Sequence, residues 1–530
     1  MLSSSSEEES SSSSSEETPQ KALQIADIKN ILVYYGLLDG SAPFESVAPE
    51  VKDQDGNIVP LDDVTFSFEG DDIRYENGGF IGLRGGTETT VTATSKDGAT
   101  GTFTVSVYNR EYREKHEAAA TSEGWYGDIE VDPIASLEEG FASGIDISSS
   151  LSIYESCGRY YGAFYNENGE EQSLYQILAD NGVNWIRLRL WVDPYNHNLL
   201  DEDGNPTPYG GGICDYEHVE WMAHEAKMAG LKVLLDFHYS DFYTDPSNQV
   251  IPKAWANITS AEEMGNKIYE YTNSTLLSLK EADALPDAVA LGNETTTGML
   301  TQLPGTDGNS LTGDNPGYIT GKRSAPSSIA GSAYSDNFRL YIRKANQAVK
   351  DVSAAILTMV HMARGLTATD NIIGYYNDLA GINFDIIGLS GYAYYQWQNP
   401  STLRNALNTI SAAFPTKKIS IAEHSYGFTY ESDTQGNFTF SDWPDATATA
   451  VSSFEVSIQG QADCIRTLTE AVANLDNGWG AFYWEGAWRI RTGCGWADSA
   501  SKNSWANQGL FSYDGKALGS LKVYSSMWGN

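Results

Sequence analysis

The chain has 530 residues, 41% of them apolar, and a formal net charge of −38. That length exceeds one average domain and is enough to bury a large core. Such a negative field disfavours nucleic acid and anionic membrane surfaces as partners but is indifferent to a neutral polysaccharide, and with no run of 18 or more apolar residues no segment is expected to span a bilayer as a helix. Residues 1–29 begin with an almost pure Ser/Glu tract from Ser3 to Glu17, which cannot bury enough apolar area to offset its ordering entropy and is expected to be disordered. We read it as the stub of an exported or lipid-anchored protein whose leader is missing, which places the chain outside the cell or anchored at its surface. Cys157, Cys214, Cys464 and Cys494 form no C-x-x-C pair, so a zinc ribbon is excluded and the redox compartment stays open.

Residues 30–109 alternate in short runs, such as Val64-Thr65-Phe66-Ser67-Phe68 and Thr102-Phe103-Thr104-Val105, broken by turn signals at Asp55-Gly56-Asn57, Gly85-Gly86 and Asp97-Gly98. Period-two alternation with frequent turns predicts a small all-β sandwich. The segment resembles bacterial immunoglobulin-like domains in Gly82-Leu83-Arg84-Gly85-Gly86-Thr87 followed by Val91-Thr92-Ala93-Thr94. It carries no catalytic constellation, and a spacer role is expected. Residues 110–138 are read as a linker.

From residue 139 to 530 strand-like and helix-like stretches alternate. Eight apolar runs stand at 141–146, 183–191, 231–238, 288–294, 355–361, 384–392, 418–423 and 480–485. Helix-compatible stretches between them include 216–229, 262–279, 337–352, 403–413 and 461–475. Eight β-then-α units predict a (β/α)8 TIM barrel, with chemistry at the C-terminal ends of its strands. Several runs end on polar or aromatic groups: Asp146, Asp236 and His238, Asn293 and Glu294, His361, Tyr392, Glu423, Trp484 and Glu485.

Glycosidic cleavage needs one carboxyl group to protonate the departing oxygen and another to attack the anomeric carbon or activate water. Glu294 on the fourth run and Glu423 on the seventh would face each other across the barrel mouth, near the roughly 5–5.5 Å spacing of retaining hydrolysis. Arg187 and Arg189, two apart on one strand, point to the same side. A cation there would keep Glu423 ionised, and the neighbouring negative charge would keep Glu294 protonated. Tyr239, Tyr243, Trp255, Tyr392, Trp397, Trp484 and Trp488 offer aromatic planes for the C–H faces of sugar rings.

Longer motifs carry a family resemblance. Residues 182–194 (Gly182-Val183-Asn184-Trp185-Ile186-Arg187-Leu188-Arg189-Leu190-Trp191-Val192-Asp193-Pro194), Asp236-Phe237-His238-Tyr239-Ser240-Asp241, Gly292-Asn293-Glu294-Thr295-Thr296-Thr297-Gly298, Ile387-Gly388-Leu389-Ser390-Gly391-Tyr392, Ala422-Glu423 and Phe482-Tyr483-Trp484-Glu485-Gly486-Ala487-Trp488 look like glycoside hydrolase family 53, the endo-β-1,4-galactanases. The resemblance spans nearly all of 140–525. It implies Glu294 as acid/base and Glu423 as nucleophile, with Arg187, Asn293, Asp236, His238, Tyr239, Asp241, Tyr392, Trp484, Glu485 and Trp488 binding substrate. The implied substrate is the β-1,4-galactan side chain of pectin, cut internally with retention by an enzyme that needs no cofactor and is expected to be a monomer. A retaining glycanase acting on mannan, xylan or glucan, or a non-catalytic surface galactan-binding protein, are the alternatives.

Three departures stand out. Met362-Ala363-Arg364 follow His361 where the family has an Asp-Asn pair, Thr301-Gln302-Leu303-Pro304 replace a Trp-Pro, and Tyr243 stands where tryptophan is usual. They are expected to remodel outer sugar subsites. Bacterial members can hold calcium in the loop after the seventh strand. Here Glu431, Asp433, Gln435 and Asn437 offer four oxygens against the six to eight the ion needs, so a structural calcium is compatible with the pattern but incompletely ligated.

Overall fold

The computed structural model describes residues 22–33, 47–109, 124–156, 163–305, 321–322, 333–430, 434–435, 438–439, 453–489 and 505–529, apart from 71, 77, 83–86, 201–203, 205, 210–212 and 398. Two compact units divide the chain, residues 1–115 and 116–530.

The first unit is all-β among its described residues. Strands Val64–Ser67, Thr87–Ser95 and Thr100–Asn109 pair antiparallel in that order, and Ile28–Val33 adds to the far edge in parallel. Alternation puts Val91 and Ala93 of one strand and Phe103, Val105 and Val107 of the next into one core, where Phe66, Tyr75, Phe80 and Phe103 meet edge to face or tilted. This unit starts earlier than the sequence suggested. Leu23 and Ile28 are buried in its core, and Gln24–Ile25 pair with Val51–Lys52. Two apolar side chains just after the Ser/Glu tract are enough to draw residues 22–29 out of the expected tail; residues 1–21 lie outside the described residues.

In the second unit eight parallel strands close into a barrel: β1 Ala142–Asp146, β2 Trp185–Leu190, β3 Lys232–Phe237, β4 Ala288–Leu291, β5 Leu357–Met362, β6 Ile386–Ser390, β7 Lys418–His424 and β8 Gly478–Tyr483. Each pairs with its sequence neighbours, and β8 returns to β1. Helices α1 Leu174–Asp180, α2 Tyr216–Met228, α3 Ala261–Glu281, α4 Ala333–Val352, α5 Thr369–Asn377, α6 Pro400–Ala413, α7 Ile458–Ala473 and α8 Val523–Met527 follow the strands in turn, with an additional short helix Ser150–Ser156 between β1 and α1. The five longer helices coincide with the periodic stretches of the sequence. The long helices α2, α3, α6 and α7 each have a side-chain cap: Asp215, Ser260, Asn399 and Ser457 accept the backbone N–H three residues on. The sequence reading passed over α1 and α5, which are short and have no such cap.

Strand alternation builds two apolar layers. On β3, Val233, Leu235 and Phe237 face the helices, whereas Leu234 joins Ala142, Trp185, Ala288, Ala290, Met359, Ile386, Ala422, Trp479 and Phe482 in the lumen. Gly144 on β1 makes room there, since a Cβ would come within 2.2 Å of the Phe482 ring. This plug seals the barrel below the strand ends, so any cleft lies at the C-terminal rim.

Of the linker expected at 110–138, residues 110–123 lie outside the described residues, and the expectation for 124–138 needs correction. Trp125 is buried against Phe428, Ile458 and Leu518, and the Ile134 N–H donates to the Met527 carbonyl at 2.9 Å. Apolar side chains at 125, 129 and 134 dock this stretch onto the barrel.

Candidate active site

Charge organises the rim. Arg187, an inward residue of β2, is buried, and its Nη1 donates to Asp146 at 2.7 Å. Its Nη2 reaches Asp236 at 2.6 Å, Glu423 at 2.7 Å and Asn293 Oδ1 at 2.9 Å. Burial alone would lower the guanidinium's pKa, but Glu423, Asp236 and Asp146 together hold it above its usual value. Burial would likewise raise Asp236, yet Arg187 and His238 pull it down to about 2. Arg187 is therefore a fixed cation shared among three acids on strands β1, β3 and β7.

Glu423 owes its place to a register irregularity. Ala422 already faces the lumen, so strict alternation would turn Glu423 toward the helices. The β6–β7 pairing instead jumps from Leu389↔Ile421 to Ser390↔Glu423, and the extra residue of this bulge returns the carboxylate to the cleft. There Tyr392 donates its hydroxyl to the second oxygen at 3.0 Å.

Glu294 lies beyond the end of β4. Gly292, at φ +97°, leaves the strand, and a Cβ there would sit 2.7 Å from the Thr295 Cγ2. Glu294 itself is left-handed at φ 46°, which keeps Asn293 and Glu294 both at the rim although they are adjacent. A carboxylate oxygen of each glutamate and a ring nitrogen of His361 lie within 4.8 Å of one another. These atoms are close enough to share a cation, and the Arg187 guanidinium already supplies that charge to Glu423. Burial and then the charge of Glu423 push Glu294 well above the usual carboxylate range. Burial raises Glu423 as well, but Arg187 and the Tyr392 hydroxyl oppose it, so a proton shared by the pair resides on Glu294.

A buried polar layer holds Asn293. Its Nδ2 donates to the Thr244 carbonyl at 2.7 Å, and its own carbonyl accepts from Gln249 at 3.0 Å. His361 Nδ1 meets Asn293 Oδ1 at 3.0 Å, while Nε2 meets the Ser390 hydroxyl at 3.0 Å, which in turn contacts Glu294 at 2.5 Å. His238 accepts the Thr244 N–H on Nδ1 at 3.1 Å and turns Nε2 toward Asp236, 3.4 Å away. Burial keeps His238 neutral against the pull of Asp236.

The rim encloses a cleft of about 360 Å³ lined by Arg187, Arg189, His238, Asn293, Glu294, Tyr392, Glu423 and Trp484 among others. Five residues expected to bind substrate do not line it. Tyr239, two positions after Phe237 and so on the same helix-facing side, turns its hydroxyl to Thr272 of α3 at 2.7 Å and stacks on Phe237 in the outer layer. Asp241 is buried, accepts the Lys253 N–H at 2.8 Å, and is raised to about 6 by burial despite Lys253. Glu485 pairs with Arg189 and with Ser149 behind the rim, where burial pushes it up to about 7. Trp488 stacks behind Trp484, centroids 6.2 Å apart, and orients that ring without facing the cleft. Asp236 acts through Arg187 and does not line the cleft itself.

The sequence reading did not single out Ser390, Thr244 or Trp505. Ser390 carried a signal, being an inward residue of β6 two positions before Tyr392. Thr244 and Trp505 sit on loops, where no periodicity points to a direction. Ala363 and Arg364 line the cleft, so the departure after His361 does fall at the site. Of the calcium candidates, Glu431, Asp433 and Asn437 lie outside the described residues, and of Gln435 only the backbone of strand Thr434–Gln435 is described.

Known proteins share this architecture. Residues 142–524 match Glycosyl hydrolase family 53. An endo-beta-1,4-galactanase of Bacillus subtilis (strain 168) is 31% identical over 450 residues, 78% of this chain and 91% of that protein. An arabinogalactan endo-beta-1,4-galactanase of Cellvibrio japonicus (strain Ueda107) is 30% identical over 357 residues, 67% of this chain and 82% of that protein. The solved Ignisphaera aggregans GH53 catalytic domain is 35% identical, with a TM-score of 0.63, covering 76% of this chain and 99% of that one. The family model spans well over half of the chain and relatives of 30% identity or more cover two thirds of it, so the chain belongs to glycosyl hydrolase family 53.

Proposed function

We propose that the protein is a retaining endo-β-1,4-galactanase that cuts the galactan side chains of pectin. The observation that carries this reading is Arg187 bridging Asp146, Asp236 and Glu423 while Glu294 stands across the cleft within 4.8 Å. Glu423, held ionised by Arg187 and oriented by Tyr392, attacks the anomeric carbon as Glu294 gives its proton to the departing glycosidic oxygen. Glu294, now a carboxylate, then takes a proton from water, whose oxygen displaces Glu423 from the anomeric carbon. The names of the relatives support galactan as the substrate, and Asn293 is placed to hold a sugar hydroxyl. Trp484 offers an aromatic plane to a sugar ring. Release of reducing ends from potato galactan, beside mannan, xylan and β-glucan, tests the substrate; activity on one of the other three and none on galactan would overturn it. Glu294→Ala and Glu423→Ala should each abolish turnover of galactan yet retain oligosaccharide binding, and undiminished turnover in either variant would refute the assigned roles.

Arg364 and Ala363 at the rim support a reading in which the outer subsites differ from those of relatives, so the product length on linear galactan should differ too. We further infer that the all-β unit is an immunoglobulin-like spacer and that the protein acts outside the cell as a monomer. The Ser/Glu tract and the polysaccharide substrate support that placement, and fractionation of the native host with sedimentation of the purified chain tests it.

A further inference from the structure

Hydrogen-bond direction can be followed through the buried layer beside Glu294. Asn293 donates its Nδ2 to the Thr244 carbonyl, which fixes the amide's orientation and leaves Oδ1 as the end that faces Arg187 and His361. A carbonyl oxygen only accepts, so the His361 nitrogen 3.0 Å from it, Nδ1, carries the ring hydrogen. The Glu294 N–H also approaches Nδ1, but at 3.5 Å, the limit of a hydrogen bond, and it is the weaker claim on that atom. His361 is fully buried, and burial holds it neutral, with its pKa lowered to about 3. Its Nε2 is then a bare lone pair, and the partner 3.0 Å away is the Ser390 hydroxyl, which must donate its one hydrogen there. With that hydrogen committed, the Ser390 oxygen can only accept from Glu294, 2.5 Å away.

We propose that His361 and Ser390 are positioning residues that hold Glu294 as the proton donor: His361 takes the serine hydrogen, and the serine oxygen takes the hydrogen of the Glu294 carboxyl group. This rests on Glu294 being the acid of the proposed reaction. Once Glu294 has given its proton to the departing oxygen, the Ser390 hydroxyl can serve the new carboxylate only by turning away from His361, which leaves a buried ring nitrogen without a donor. Recovery of a proton from water in the second step restores the whole chain of bonds, so the pair favours the acid form in the resting enzyme. The other groups that face Glu294 are Glu423 from β7, Arg187 from β2, Asp245 from the loop after β3 and Tyr392 from the loop after β6. None of them belongs to the His361–Ser390 chain, so variants at those two positions leave them in place.

The test is the titration of Glu294 in the full chain labelled with ¹³C on glutamate carboxyl carbons, the signal being assigned by its loss in Glu294→Gln. Ser390→Ala removes the acceptor, and His361→Phe frees the serine hydrogen to turn toward the carboxylate. Each should lower the Glu294 midpoint by roughly one pH unit and move the basic limb of kcat/KM on galactan in the same direction. If Ser390 instead donates to Glu294 in the resting enzyme, Ser390→Ala raises the midpoint; a rise or no shift in either folded variant overturns the proposal. Because the titration needs no substrate, it answers this question even if the wild-type chain leaves galactan uncut, which would refute only the functional reading.

Discussion

Replacing Arg187 by Met would leave Asp146, Asp236 and Glu423 crowded around an apolar side chain, with Arg189 still 3.8 Å from Asp146 but the direct ion pairs of Asp236 and Glu423 with Arg187 gone. Removing one partner of a buried ionic group costs about 3–5 kcal/mol, so Arg187→Met should lower stability by that order in urea titration at neutral pH. It should also raise the pKa of Glu423, leaving less nucleophile at any given pH. A stable variant with wild-type turnover would contradict the role given to this cation. Acid sensitivity follows from the buried histidines. In the unfolded chain a histidine titrates near 6.5, whereas burial holds both His361 and His424 down to about 3. Their contribution to stability is complete above pH 6.5, declines below it by about 1.4 kcal/mol per pH unit for each ring, and is lost near pH 3. Asp236, depressed to about 2, adds a further loss as pH falls from about 4 toward 2. His424 packs edge-on against Tyr483 away from the cleft, so His424→Phe should flatten the decline between pH 6.5 and 4.5; an unchanged slope would show that this ring does not titrate on unfolding.

At the scale of elements, the two glutamates reach the rim by different departures from regular strand geometry. Glu423 uses a bulge in β7, and Glu294 uses two left-handed residues beyond β4. Gly292→Ala would force a Cβ into a left-handed backbone and against Thr295, a strain of about 1–3 kcal/mol. Relief of that strain would swing the following residues, so kcat should fall more than the melting temperature does. Equal, small effects on both would mean that the turn is not what places Glu294. Apolar runs ending on acids were legible in the sequence because burial imposes their pattern. The side to which each acid turns was not, since strict alternation taken alone would have aimed Glu423 at the helices. Tyr239 is the opposite case: two positions after the helix-facing Phe237, it follows the alternation of β3 onto α3, and its residue type alone did not show that.

For the whole molecule, every described residue lining the cleft belongs to the unit spanning 116–530. A chain starting at residue 116 should therefore match the full chain in kcat/KM on soluble galactan. A chain starting at residue 139 removes Trp125 and Ile134 from their buried sites, a loss of about 3–5 kcal/mol for the tryptophan alone, and should melt markedly lower. Equal melting of the two truncations would show that residues 124–138 contribute nothing to the barrel's stability.

Sequence by itself determined the eight-fold alternation of strand and helix, the two glutamates and the cation between them, because periodic burial and the needs of glycosidic chemistry leave marks on local pattern. Only the tertiary structure decided that Asp146 and Asp236 share Arg187 with Glu423, that Ser390 and His361 stand behind Glu294, and that Asp241, Glu485 and Trp488 face away from the cleft. Those relations join residues up to 336 positions apart, and they depend on bulges, left-handed turns and barrel closure, which set the direction of a side chain without changing the residue types around it.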